Sequence, residues 1–165
     1  MSEDAAVTIR PARLPGEAED LARVYLSSAE HHAGLDPDRY RIPMASAVAT
    51  WFRGHADGRR RSVLVAEADD RIVGLVSITR LAPPTAASML ADVPTASVDV
   101  AVDPGYRRRG IGRRLLGAAE ERARELGAVR IQLDAHAAND GALRLYADLG
   151  YRTFGVLLSK DVDAT

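Results

Sequence analysis

The run Arg107-Arg108-Arg109-Gly110-Ile111-Gly112-Arg113-Arg114 places five guanidinium groups around two glycines. Gly110 and Gly112 carry no Cβ, so a ligand can approach the backbone closely there. From Ile111 onward, Leu115, Ala119, Ala123 and Leu126 fall on one helical face, while Arg113, Arg114, Glu120, Glu121 and Arg124 fall on the other. The glycines therefore mark a helix start, where the first N–H groups have no intrahelical acceptor and the dipole adds about half a positive charge. Bare amides, dipole and arginines together suit a phosphate-rich ligand. The alternative is a helix start that carries a solvated basic face.

Other elements must hold this turn in place. Val98, Val100 and Val102 alternate just before it, which predicts a strand that Asp103-Pro104-Gly105 stops. Upstream, residues 7–10 read as a first strand ended by Pro11. Residues 17–33 read as a helix with Leu21, Val24, Tyr25 and Ser28 turned inward. After a loop over 35–43, residues 45–53 form a second helix that carries Val48, Trp51 and Phe52. Strands at 62–67 and 72–79 flank a short polar hairpin turn, and a proline-rich loop spans 82–95. Gly127 caps the arginine-rich helix. A strand at 128–135 follows, with Val129, Ile131 and Leu133 on one face, then a helix at 139–149. A pair of strand segments at 151–160, broken near Gly155, closes the order. This is an α/β (α+β) fold, a central mixed, mostly antiparallel sheet of six to seven strands flanked by four helices. Residues 1–165 read as one domain.

Composition narrows the chemistry. The 165 residues are 47% apolar and 27% charged, with a net charge of −1, so the arginines form a local site and not a nucleic-acid surface. With no cysteine, thiolate nucleophiles and cysteine zinc sites are excluded, and a reducing compartment fits. No signal segment or membrane-length apolar run is visible, so a cytoplasmic protein without membrane or nucleic-acid partners is expected.

Two motifs resemble the GNAT superfamily of N-acetyltransferases. Arg107-Arg108-Arg109-Gly110-Ile111-Gly112 matches the acyl-CoA signature R/Q-x-x-G-x-G/A. Asn139, Ala142, Leu145, Tyr146, Gly150 and Tyr151 match N-x-x-A-x-x-L-Y-x-x-x-G-F/Y. Together they cover residues 97–151, and the element order extends the likeness to nearly the whole chain. The resemblance implies a GNAT-like acyl-CoA N-acyltransferase fold whose central strands diverge around a bulge to admit acetyl-CoA. It implies that Val100, Ala101 and Val102 offer backbone groups to the pantetheine arm. Backbone amides of Arg108, Arg109, Gly110, Ile111, Gly112 and Arg113, entered through Arg107, would hold the pyrophosphate. Asn139, beside Ala142 of the same motif, would hydrogen-bond the pantetheine, and Tyr146 would stand near the sulfur. A small-molecule or peptide amine would be the acceptor, and a homodimer is allowed.

Acetyl transfer to an amine needs a neutral nucleophile, a donor for the oxyanion and a proton for the leaving thiolate. An unpaired strand amide at the bulge would serve the oxyanion. The phenol of Tyr146, with an ordinary pKa near 10, would protonate the sulfur. The family often places a glutamate near the start of the central strand, but Pro94-Thr95-Ala96-Ser97 holds no carboxylate. Asp99 is the nearest candidate base, directly or through water, with Glu30, His31 and His32 as alternatives. Adjacent histidines point about 100° apart on a helix and make a poor metal pair, so no metal site is expected. His55 and His136 read as surface residues. Residues 30–43, with His31, His32, Asp36, Arg39 and Tyr40, and the 82–95 loop are the expected acceptor pocket.

Two other readings compete. Strand, Gly110-Ile111-Gly112, helix, strand and Asp134 imitate a dinucleotide-binding unit. Leu115 in place of the third glycine, a long basic turn and too little following chain argue against it. A non-catalytic acyl-CoA sensor or interaction module of the same fold is the second.

Overall fold

The computed structural model describes residues 6–54 and 58–162, so His55 lies outside the described residues. Its elements follow the order β1 (Thr8–Pro11), α1 (Ala18–Leu35), α2 (Ala45–Arg53), β2 (Arg61–Ala68), β3 (Arg71–Arg80), β4 (Thr95–Val102), α3 (Ile111–Glu125), β5 (Arg130–Gln132) and α4 (Asp140–Asp148), with a single 3₁₀ turn at Pro104–Tyr106. The strands lie side by side in chain order. The first three pairings are antiparallel and the β4–β5 pairing is parallel. That parallel pair needs a long crossover, and α3 provides it.

Alternation on the strands divides the apolar side chains between two cores. Val76, Ile78, Ala96 and Val98 pack with Ile111, Leu115, Leu116, Ala119 and Ala123 of α3, and Leu145 and Tyr146 of α4, with Leu149 just after it, close over them. On the other face, Val63, Val65, Leu75 and Ala101 pack with Leu21 and Val24 of α1 and Val48 and Phe52 of α2. The hairpin between β2 and β3 turns on Asp69 and Asp70 alone, with φ of 50° and 56°. A two-residue turn with both φ positive matches the twist of the flanking strands.

The structure departs from the sequence expectations at several points. The sheet has five strands, not six or seven, because residues 151–162 form no strand. The last strand is three residues long and not eight. Its predicted inner face is broken because Val129 is 76% exposed, its N–H being tied to the Pro94 carbonyl before the strand begins. Tyr25 and Trp51 sit at the rim of the α1–α2 contact and not within it, stacked with Phe52 as the buried ring.

Candidate active site

The site begins where β5 stops. β4 pairs with β5 only at Thr95, Ala96 and Ser97, while its pairing with β3 continues unbroken from Ala96 to Val102. The expected bulge is therefore absent from β4. The gap opens because β5 turns away after Gln132, leaving a regular strand with a bare edge. Backbone direction alternates along that edge. The Thr95 carbonyl and the Asp103 N–H both meet β3-side partners, Leu81 N–H and Val73 carbonyl, each at 2.9 Å. Even-numbered residues must then aim outward, so the backbone groups of Val100 and Val102 open onto the gap. Arg107 Nε donates to the Val102 carbonyl at 3.0 Å. Ala101 faces Leu75 in the register and its side chain is buried, so its backbone turns away from the gap.

At the end of β4 the chain forms an amide nest. Gly110, the N-cap of α3, has a φ of 75°, and Arg108 has a φ of 65°. Positive φ is cheap for Gly110 and strained for Arg108. Arg114 N–H is the first in the helix with a backbone partner, the Gly110 carbonyl at 3.1 Å. Among the described residues, no acceptor meets the N–H groups of 108–113. The Ile111 side chain is buried in the core, so only its backbone faces outward. A Cβ on Gly112 would come within 3.3 Å of Leu145 Cδ2, so that glycine serves the seating of α4 on α3.

The arginines are less free than their number suggests. Arg114 donates to the Val7 carbonyl at 2.7 Å, and Arg113 pairs with Asp148 at 3.4 Å. Arg109 lies over the Tyr106 ring, 5.1 Å from its centre. The backbone nest and the helix dipole are thus freer to meet an anion than the guanidinium count implies.

α4 and its N-cap carry the remaining predicted groups. Asn139 Oδ1 caps the helix by accepting from Ala142 N–H at 3.3 Å, so its NH2 is what remains for a ligand. Tyr146 is half-buried against the α3 core, its ring 5.9 Å from that of Tyr151. Burial first, and then the charge of Asp99, raise its pKa above 10. Tyr151 is pushed up to about 12, mainly by burial, and its hydroxyl is a buried polar group without a partner among the described residues.

Asp99 lies on the α1–α2 face of β4. Its carboxyl pKa is raised, first by partial loss of water among the surrounding walls and then by Asp134, while the Ser77 hydroxyl opposes the shift. Ser77 faces Asp99 in the register. Sequence reading missed Ser77 and weighed Asp134 only within the competing dinucleotide-binding pattern. The parallel β4–β5 register, with Gln132 opposite Ser97, is what carries Asp134 toward Asp99.

The histidines divide. His31 and His32 stack edge to face, and His32 Nδ1 bonds the Ser28 carbonyl at 2.8 Å. His136, expected at the surface, instead packs on Tyr40 and sits 3.4 Å from Asp36, joining the β5–α4 turn to the α1–α2 loop. No cluster of three or more metal-binding side chains occurs among the described residues.

A cavity of about 900 Å³ lies between α1, α2 and the turn after β4, bordered by Arg23, Leu26, Glu30, Ala49, Arg71 and Tyr106. Buried Asp103 pairs there with Arg23 at 2.6 Å and Arg71 at 3.6 Å. Neither Asp99 nor Tyr146 borders it, and of the expected acceptor segment only Glu30 does.

The acetyltransferase (GNAT) family model matches residues 21–151, and the chain belongs to that family. An uncharacterized protein of Mycobacterium leprae is 39% identical over 89 residues, which is 53% of this chain and 22% of that protein. The N-alpha-acetyltransferase RimI of Mycobacterium tuberculosis is 44% identical over 57 residues, 34% of each chain. The chain thus spans about a fifth to a third of these relatives. A solved mutant of the BH1408 protein from Bacillus halodurans shares the fold, with a TM-score of 0.84 at 24% identity over 94% of this chain and 99% of that one. No helix among the described residues is long and apolar enough to cross a membrane.

Proposed function

We propose that residues 1–165 form one N-acetyltransferase domain that moves an acetyl group from acetyl-CoA to a primary amine by direct attack. The observation that carries this reading is one continuous track. The bare amides of 108–113 lead onto the open edge at the Val102 N–H and at Val100, and the charge of Asp99 raises the pKa of Tyr146 beside it. The track fits the cofactor on three counts: an amide nest for a diphosphate, a free strand edge for an amide-bearing arm, and a phenol beside the gap.

Acetyl-CoA supplies the acetyl group as a thioester. The nest and strand edge bind and orient it, and Asn139 NH2 adds a donor. Asp99, with its pKa raised, takes a proton from the amine as the nitrogen–carbon bond forms, when that proton becomes acidic. An outward backbone N–H on β4 stabilises the carbonyl oxygen. Tyr146 stays protonated at neutral pH because its pKa is raised, and it gives a hydrogen bond and then its proton to the sulfur. The α1–α2 cavity opens on the same sheet face as Asp99, since Ala101 two residues on belongs to that core. This supports it as the acceptor side.

The deciding experiment follows free thiol released from acetyl-CoA across a panel of amines. Turnover with at least one amine supports the enzyme. Acetyl-CoA binding without turnover across a wide panel supports the sensor reading, which the missing glutamate at 94–97 favours.

A further inference from the structure

Asp36 and His136 come from opposite sides of the gap. α1 lies on the β4 side, where its Leu21 and Val24 share a core with Ala101. Asp36 caps the end of that helix and opens the loop of residues 36–44 that leads to α2. His136 belongs to the chain that leaves β5 and turns into α4. β4 and β5 stop pairing at Ser97 and Gln132, so a contact between Asp36 and His136 spans the space they leave. His136 Nδ1 accepts from Ala138 N–H at 3.1 Å, which puts the ring proton on Nε2, 3.4 Å from Asp36 Oδ2. Asp36 Oδ1 in turn accepts from Arg39 N–H at 3.2 Å. Tyr40 packs beside the contact, its ring 5.8 Å from that of His136 and 5.2 Å from that of His32 on α1. Among the described residues, the backbone hydrogen bonds of 36–44 go to its own residues and to the ends of α1 and α2. Such a loop opens at low cost unless its side chains hold it.

We propose that His136 is a positioning residue for the amine acceptor: with Asp36 and Tyr40 it clasps the α1–α2 loop across the gap, on the face where Asp99 lies. This rests on the acetyltransferase reading. The clasp touches no reacting atom and acts through the loop. Glu30 before the loop, and Ala45 and Ser46 just after it, border the α1–α2 cavity, so the loop's position sets how those walls stand. A loop already ordered need not be ordered when the amine binds, which favours binding. The same turn also serves the cofactor side. The His136 carbonyl accepts from Asn139 N–H at 2.8 Å, so the residue offered to the pantetheine and the residue that grips the loop share one short turn. The acceptor's wall is thereby fixed relative to the thioester, and attack needs that fixed approach.

The test compares the full chain with His136→Asn, Asp36→Ala and the double variant. His136→Asn keeps an acceptor for Ala138 N–H but is too short to reach Asp36. Amide hydrogen exchange, read by mass spectrometry without any substrate, should quicken in peptides holding 36–44 and stay parental in those holding β2 and β3. Once Asp36→Ala is made, adding His136→Asn should change nothing further, because the two act as one contact. With an amine from the turnover panel, KM for that amine should rise about tenfold while KM for acetyl-CoA holds. Parental exchange at 36–44 in His136→Asn overturns the clasp whatever the activity. Effects of the two substitutions that simply add overturn it too, and an equal rise in both KM values overturns the positioning role. A parent that turns over no amine, with exchange at 36–44 still governed by His136, sinks the acetyltransferase reading and leaves the clasp standing.

Discussion

Ser77 and Asp99 stand opposite each other on β3 and β4, and Asp134 acts on the same carboxylate from beyond β5. The two neighbours pull its pKa in opposite directions. The Ser77 hydroxyl favours the charged form, and the Asp134 charge disfavours it.

If Asp99 is the base, activity falls as pH drops through its raised pKa, because the carboxylate becomes protonated. Ser77→Ala removes the stabilising hydroxyl, raises that pKa further, and moves the acid limb of the kcat/KM profile to higher pH. Asp134→Asn removes the repelling charge and moves the limb to lower pH. Asp99→Asn should lower kcat/KM by about 10²-fold or more. Profiles that do not move in opposite directions for the two variants would count against Asp99.

Tyr146→Phe keeps the ring that packs on α3 and removes only the proton donor. We expect kcat to fall by about 10²-fold with KM for acetyl-CoA nearly unchanged. Steady-state rates at saturating amine check this. A parental rate would assign the phenol a packing role.

Gly110→Ala meets no neighbouring atom but must hold a φ of 75°. The cost is about 1–2 kcal/mol for the left-handed conformation. Thermal melting should show that loss, and calorimetry should show weaker acetyl-CoA binding as the nest relaxes. Gly112→Val acts differently: its side chain meets Leu145 and pushes α4 away, so Tyr146 moves with it. There kcat should fall as well as affinity.

Arg10 joins Glu17, at 2.7 Å, and Glu67 across the β1–β2 edge. Hydrogen bonding from Arg10 lowers the pKa of Glu17 below 4.5, against partial burial. Its contribution is therefore present above the unfolded carboxyl range and is lost as pH falls through the lower folded value. Glu17→Gln should cost about 1–2 kcal/mol at pH 7 by urea unfolding. The gap between variant and parent should close as pH drops below 4.5. A gap that stays constant down to strong acid would assign the loss to packing.

The sequence by itself determined most of the local elements and the glycine turn that opens α3. Alternating valines can only make a half-buried strand. A glycine before a 3.6-residue apolar period marks a helix start, and a short polar stretch between two apolar runs makes a hairpin. Those choices depend on neighbours within a few residues, which a sequence displays. Tertiary structure decided where β5 leaves β4, because that depends on how α3 and the Pro94 carbonyl seat residues 128–130. It also decided that Ala101 turns its backbone away from the gap while Val100 and Val102 face it. The same is true of Ser77 and Asp134 flanking Asp99, and of His136 meeting Asp36 and Tyr40, since each pair is brought together by sheet register or by loops distant in the chain. The strands read at 151–160 show the limit most clearly: the alternating pattern is present, but a strand needs an edge to pair with, and none among the described residues receives it.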